Sequence, residues 1–327
     1  VYAVNEGASV FSQSPGTTNR SMDTAPGGFT ISSSRSLRYY NSRGLLIREI
    51  DSYGWGQPDI FQAVISESDI WIADRVLGII HGKNMADFAR LPVSGPALNK
   101  VAMIASEGGK TIICPGGISG SSAGLKIPFM VSVYDGQKFE IISSDFHADA
   151  MRAVSDPSDP SVFFISSWGG GLFRYKNNRA DKIYDSSNSP LQESGATGET
   201  RVLGLAFDRS GNLWMTQPDV REKIIILKSG GNWISYPRII DSPLAGDLIS
   251  TSKGQIWIIL PGGYGLFIID DNGTPDIYTD DLTRRLTIID SDNRIFGSAF
   301  ALAEDLDGNI WVGTDQGPVI YHNPERL

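Results

Sequence analysis

The sequence predicts an all-β chain, a seven-bladed β-propeller of four-stranded antiparallel blades. Three observations predict it. The tetrad Gly-x-x-Trp recurs at Gly211-Asn212-Leu213-Trp214, Gly254-Gln255-Ile256-Trp257 and Gly308-Asn309-Ile310-Trp311. Weaker versions continue upstream, so that Ile31, Trp71, Ile112, Phe163, Trp214, Trp257 and Trp311 stand at equivalent places, spaced 40, 41, 51, 51, 43 and 54 residues apart. Periods of roughly 40–50 residues, each holding four short strands, mark propellers. Third, no segment carries a 3.6-residue apolar period over about 11 residues or more, so helices are not expected.

Each element of a unit has its own local reason. Asp208-Arg209-Ser210-Gly211-Asn212 and Asp305-Leu306-Asp307-Gly308-Asn309 read as hairpin turns, because Gly and Asn take positive φ cheaply. The strand after the turn is apolar, and in Trp311-Val312-Gly313-Thr314 it alternates large with small. A second turn follows at Gly169-Gly170-Gly171, Gly262-Gly263 and Asp315-Gln316-Gly317, and then a further strand such as Leu172-Phe173-Arg174-Tyr175 or Leu266-Phe267-Ile268-Ile269. Leu37-Arg38-Tyr39-Tyr40 takes that place in the first unit. Asn188-Ser189-Pro190-Leu191 and Asp241-Ser242-Pro243-Leu244 read as connections between units. The last unit has room for three strands before Leu327, and the expectation is that Val1–Val4 or Ala8–Phe11 supplies the fourth, with Ser14–Gly27 as linker. The domain reading is therefore one propeller over residues 1–327, with residues 1–27 matching the repeat poorly.

Composition narrows function mostly by exclusion. The chain has 327 residues, 36 of them Gly, and Lys+Arg 28 against Asp+Glu 37 gives net charge −9, without the basic excess that nucleic-acid binding requires. No apolar run reaches the roughly 18–20 residues of a membrane span. The single Cys114 excludes a disulfide framework and a Cys-based zinc site. Val1–Glu6 carries no leader pattern, and the expectation is that any secretion signal has been removed.

Four chemical motifs point elsewhere and are set aside. Gly120-Ser121-Ser122-Ala123-Gly124 matches the nucleophile elbow, but Pro128 and the β-like Phe129–Tyr134 follow it where that motif needs a helix. His81, His147 and His322 match no short metal-ligand spacing. The acids of the turn at 305–309 stop short of a calcium loop, which needs alternating ligands and a Glu at the twelfth place. A sialidase box would place its acid two residues before the Gly, whereas Asp208 and Asp305 stand three before. No catalytic residue, metal or cofactor is expected. Trp71, Trp214, Trp257 and Trp311 are assigned to the core. Trp168, with Arg174 and Tyr175 beyond its three glycines, and Tyr264 in Gly262-Gly263-Tyr264-Gly265 are the candidate ligand- or partner-binding residues, since aromatic faces beside polar groups suit sugars and protein partners.

The stretch Ala303–Gly317 resembles the two-component-regulator propeller repeat, which builds periplasmic sensor regions of hybrid histidine kinases in Bacteroidetes, and Asn188-Ser189-Pro190-Leu191 fits the same pattern. Ser155-Asp156-Pro157, the run Phe163–Phe173 and the ending Gly317–Glu325 are similar to the PorZ-like propellers of the type IX secretion system. The general repeat has Gly-Leu where this chain has Gly317-Pro318. The resemblance covers about residues 55–327. It implies an exported, periplasmic or cell-surface, non-enzymatic scaffold whose partners are proteins of an outer-membrane secretion and attachment complex or a surface glycan. The alternative it implies is a periplasmic glycan-sensing propeller.

Overall fold

Asp208 shows how the repeat turns its chain. Its Oδ1 accepts the backbone N–H groups of Ser210 and Asn212 at 2.9 and 2.8 Å, and its Oδ2 accepts Asn212 Nδ2 and the Trp214 indole N–H at 2.7 and 2.9 Å. One carboxylate thus closes the turn and ties down the first large side chain of the next strand. Asp305 repeats the arrangement, with Trp311 Nε1 donating to its Oδ2 at 2.8 Å. Gly211 and Gly308 supply the positive φ, 77° and 80°, that these turns need.

The computed structural model describes residues 19–91, 95–119, 123–237, 240–289, 297–322 and 324. Among them there are 28 strands in seven antiparallel sheets and no α-helix, which fits a seven-bladed propeller. The chain divides into two compact units, Val1–Ser94 and Gly95–Leu327. The first unit holds two sheets, β1 (Asn19–Ala25), β2 (Gly28–Ser33), β3 (Leu37–Asn41) and β4 (Leu46–Ile50), then β5 (Ile60–Ser66), β6 (Asp69–Asp74), β7 (Gly78–Lys83) and β8 (Ala86–Arg90).

The second unit holds five sheets. They are β9 (Met103–Glu107), β10 (Lys110–Cys114), β11 (Pro128–Tyr134) and β12 (Phe139–Ala148); β13 (Ala150–Ser155), β14 (Val162–Gly169), β15 (Gly171–Lys176) and β16 (Arg179–Tyr184), joined by β17 (Thr200–Arg201) on β14; β18 (Leu205–Phe207), β19 (Leu213–Thr216), β20 (Ile224–Leu227) and β21 (Trp233–Ser235); β22 (Leu248–Ser250), β23 (Gln255–Leu260), β24 (Gly265–Asp270) and β25 (Leu282–Leu286); and β26 (Ala299–Glu304), β27 (Ile310–Thr314) and β28 (Gly317–Tyr321). All seven equivalent residues read from the sequence fall on the second strand of a sheet, β2, β6, β10, β14, β19, β23 and β27. The last sheet has three strands among the described residues, as expected.

Side-chain alternation stacks these sheets. On β14, Phe163 and Ile165 pack with Phe129 and Ile112 of the preceding sheet, while Val162 and Phe164 pack with Leu213 and Ile225 of the following one. On β23, Ile256 and Ile258 face back to Trp214 and Ile226, while Trp257 and Ile259 face forward to Ile310 and Val312. A second strand covered on both faces must be apolar throughout, which is why the sequence shows continuous apolar runs there. Each fully buried Ile, Leu or Phe contributes about 1.5–3 kcal/mol. In the first unit, Leu37 and Ile50 pack against Ile70 and Ile72 in the same way.

Two expectations need correction. Ser14–Gly27 is not a linker throughout, since Asn19–Ala25 forms β1, paired to β2 across the turn at Pro26-Gly27. Its polar residues, Asn19-Arg20-Ser21 above all, hide the strand from an apolar pattern. The proposed closing strands Val1–Val4 and Ala8–Phe11 lie outside the described residues. The four repeat tryptophans also divide: Trp214 and Trp257 are 0% exposed, but Trp71 is 43% and Trp311 39% exposed. Sheets within the unit cover both faces of β19 and β23, whereas on β6 and β27 the residues flanking the Trp, Ile70 with Ile72 and Ile310 with Val312, take the covered face.

Candidate functional site

In the second unit the first strands β9, β13, β18, β22 and β26 are successive neighbours and line a common space. A side-chain bridge crosses it. Arg152 Nε of β13 donates to Asp247 Oδ2, just ahead of β22, at 2.8 Å, and Arg152 Nη1 donates to the Met151 carbonyl at 3.1 Å. The sheet of β18 lies between the two partners in chain order, so the bridge joins sheets that are not adjacent. Asp247 Oδ1 accepts the Leu248 N–H at 3.0 Å.

The bridge borders two cavities. One, of about 490 Å³, lies at the C-terminal ends of these strands, among Met103, Glu107, Val154, Phe207, Ser250 and Leu302. The other, of about 450 Å³, lies at their N-terminal ends, among Val101, Leu125, Met151, Leu203, Pro261 and Phe300. Arg152 and Asp247 line both. The second cavity is rimmed by exposed apolar groups, Val101, Leu125 and Phe300. Its wall includes Gly116, Gly117, Ile118 and Leu125, and the chain entering β11 is fixed by Asp149: this buried carboxylate accepts Lys126 N–H at 2.8 Å and Ile127 N–H at 3.0 Å. Lys126 Nζ reaches Glu199 Oε1 at 2.7 Å. That bond, with Arg201 and Thr197 adding to it against the cost of burial, pulls the Glu199 carboxyl down to about 2.

The four candidate residues do not form one site. Trp168, 3% exposed, lies under the Arg201 guanidinium at 5.2 Å, and its indole N–H has no hydrogen-bond partner among the described residues. Tyr175 is buried on Phe163 at 5.3 Å, and burial pushes its hydroxyl up to about 12. Arg174 pairs with Asp181 across to β16. Tyr264 is 38% exposed with the Arg285 guanidinium 5.4 Å from its ring. Neither Trp168 nor Tyr264 lines the second cavity itself: Trp168 packs behind two of its lining residues, Met151 and Leu203, and Tyr264 follows two others, Pro261 and Gly262, in sequence. The buried pair therefore serves packing, and of the four only Tyr264 offers an exposed ring.

The inner residues Glu107, Arg152 and Asp247 escaped the sequence reading. The available signal was Arg152 itself, a lone charge inside the strand Ala150–Ser155. The motifs set aside are also placed. The loop holding Ser119, Ala123 and Gly124 leads into strand β11 rather than a helix, with residues 120–122 outside the described set. His81 bonds Asp69 at 3.0 Å and lies 4.4 Å from the Trp71 ring, His147 sits edge-on to Phe173 at 5.0 Å, and His322 bonds Asn309 at 2.9 Å. Among the described residues no three His, Cys, Asp or Glu side chains are placed to hold a metal ion, and no helix is long and apolar enough to cross a membrane.

No family model and no curated protein sequence matches the chain. Among solved structures, PorZ, a surface component of the type IX secretion system of Porphyromonas gingivalis, matches with TM-score 0.65 at 23% identity, over 94% of this chain and 43% of that one. The chain folds like PorZ. It spans less than half the length of that PorZ structure. An ancestral GH74 enzyme matches with TM-score 0.50 at 13% identity, over 95% of this chain and 45% of that one. The extracellular domain of the two-component-system protein BT3049 from B. thetaiotaomicron matches with TM-score 0.47 at 18% identity, over 97% of this chain and 52% of that one. PorZ, a secretion-system surface component, and the GH74 enzyme share the fold, so the fold does not carry the chemistry.

Proposed function

We propose that this chain is an exported, non-enzymatic propeller module that binds protein partners in a type IX secretion and surface-attachment complex. The observation that carries the reading is the fold agreement with PorZ over 94% of the chain. The site chemistry agrees with it. Arg152 and Asp247 spend their charges on each other, and the three histidines are engaged with Asp69, Phe173 and Asn309 rather than facing a shared cavity. A rigid stack of sheets presenting turns and cavities is suited to holding partners in place. Periplasm or cell surface is the proposed location, and Tyr264 is a proposed contact on the module's exposed rim.

The test is affinity capture with the full chain from outer-membrane extract of a type IX-secreting bacterium, with an unrelated propeller as control. Enrichment of identified secretion-complex components over the control is expected. Equal recovery on both overturns the reading, and enrichment of surface glycan without protein transfers the site to a glycan-binding module.

A further inference from the structure

We infer that the cavity at the C-terminal ends of the inner strands receives a basic side chain, lysine or arginine, from an extended segment of a protein partner. The inference rests on the binding-module reading and adds to it the place and the chemistry. Three charged residues line this cavity, Glu107, Arg152 and Asp247. Arg152 and Asp247 cancel at 2.8 Å. Glu107 is left over. One of its oxygens, Oε2, accepts the Ser155 N–H at 3.0 Å, which holds the carboxylate at the cavity edge, and its Oε1 has no partner among the described residues.

The walls explain why the guest is a long basic side chain and not a free cation. Met103, Val154, Leu205, Phe207, Ile249 and Leu302 contribute apolar patches to a wall shared with Ser155, Ser250 and the three charged residues. A lysine or arginine packs its alkyl stem on such a surface and carries its charge to a rim acid. The field at this end favours the same guest. Glu304, which caps Ser252 through N–H and hydroxyl bonds, and the turn carboxylates Asp208, Asp305 and Asp307 stand at the C-terminal ends of the same strands, against Lys110, Arg209 and Lys253. The opposite cavity lacks this bias, because its lining charges are Arg152 and Asp247 alone and its rim is apolar. An acidic partner surface is disfavoured at the first cavity by the same charges.

The experiment is fluorescence anisotropy of the full chain with a labelled peptide presenting one lysine between leucines, beside its Lys-to-Gln and Lys-to-Glu versions and a labelled neutral oligosaccharide. The lysine peptide is expected to bind at least about tenfold tighter than the glutamine version, with the advantage shrinking as salt rises. Glu107→Gln is expected to reduce the lysine peptide to the glutamine level. Leu302→Trp, which fills the cavity from β26 and leaves the Glu107–Ser155 bond intact, is expected to weaken both peptides, with thermal unfolding confirming that each variant is folded. Equal binding of the lysine and glutamine peptides, an unaffected Glu107→Gln variant, preference for the oligosaccharide, or no peptide binding overturns the inference. If secretion-complex components are still captured, equally by wild type and Glu107→Gln, the inference falls while the binding-module reading stands.

Discussion

Asp208 and Asp305 carry the same turn motif in different surroundings, and that contrast makes a strong test of the energetics. Replacing Asp208 by Ala removes acceptors for two backbone N–H groups, Asn212 Nδ2 and the Trp214 indole. Trp214 is 0% exposed, so its N–H has no water to turn to. An unsatisfied buried donor costs about 1–3 kcal/mol, and the lost turn closure adds about 1 kcal/mol, which puts Asp208→Ala near 3 kcal/mol. Asp305→Ala removes an equivalent set of bonds, but Trp311 is 39% exposed and water replaces the carboxylate. Its loss is expected to be well under that of Asp208→Ala. Both residues lie in the second unit, so urea unfolding followed by far-UV circular dichroism compares them on one transition. Equal losses, or a larger loss at Asp305, refute the claim that burial of the bonded indole sets the cost.

Other outcomes follow from particular contacts. Gly265→Ala places a Cβ 2.0 Å from the Leu286 carbonyl at φ +84°, and is expected to destabilise far more than Gly273→Ala, which has φ +74° and open space, as thermal melts will read. Phe129→Ala, deep between the second unit's first two sheets, is expected to cost about 3–5 kcal/mol in urea unfolding. The Glu199 carboxyl is held below its unfolded value, so its contribution is present above about pH 4.5 and fades as pH falls toward about 2. Glu199→Gln is therefore expected to flatten the acid limb of a stability–pH curve in that window and leave neutral pH less stable. Asp247→Ala strands Arg152, which is mostly buried, and is expected to cost more than the joint change Arg152→Met with Asp247→Leu, as a double-mutant cycle will measure.

What the sequence revealed and what it concealed divide on physical lines. Trp214, Trp257 and Trp311 were visible because a turn with Gly three residues before the Trp, closed by the side chain of Asp208, Thr251 or Asp305, recurs at fixed distance from an apolar strand, and local chemistry repeats with the fold. β1 stayed hidden because Asn19-Arg20-Ser21 lack apolar alternation, pairing instead through backbone bonds with β2. The exposure of Trp71 and Trp311 was hidden too, since cover on a strand's second face depends on the neighbouring sheet and not on the strand. Trp168 and Tyr175 look alike from sequence to Tyr264, yet only Tyr264 keeps its ring at the surface. Arg152 and Asp247 lie 95 residues apart in the chain, and no local pattern links them.

A chain of similar repeats faces a particular hazard, because one sheet's apolar face fits several neighbours nearly as well. The Arg152–Asp247 bridge answers that hazard within the second unit. It closes only when one sheet, and no more, stands between β13 and β22. An arrangement with the sheets out of order would enclose Arg152 without its carboxylate, and the penalty for a stranded buried charge then counts against the wrong order. The pair works as an address written into an otherwise repetitive stack, telling the chain which of its own look-alike parts belongs two places along.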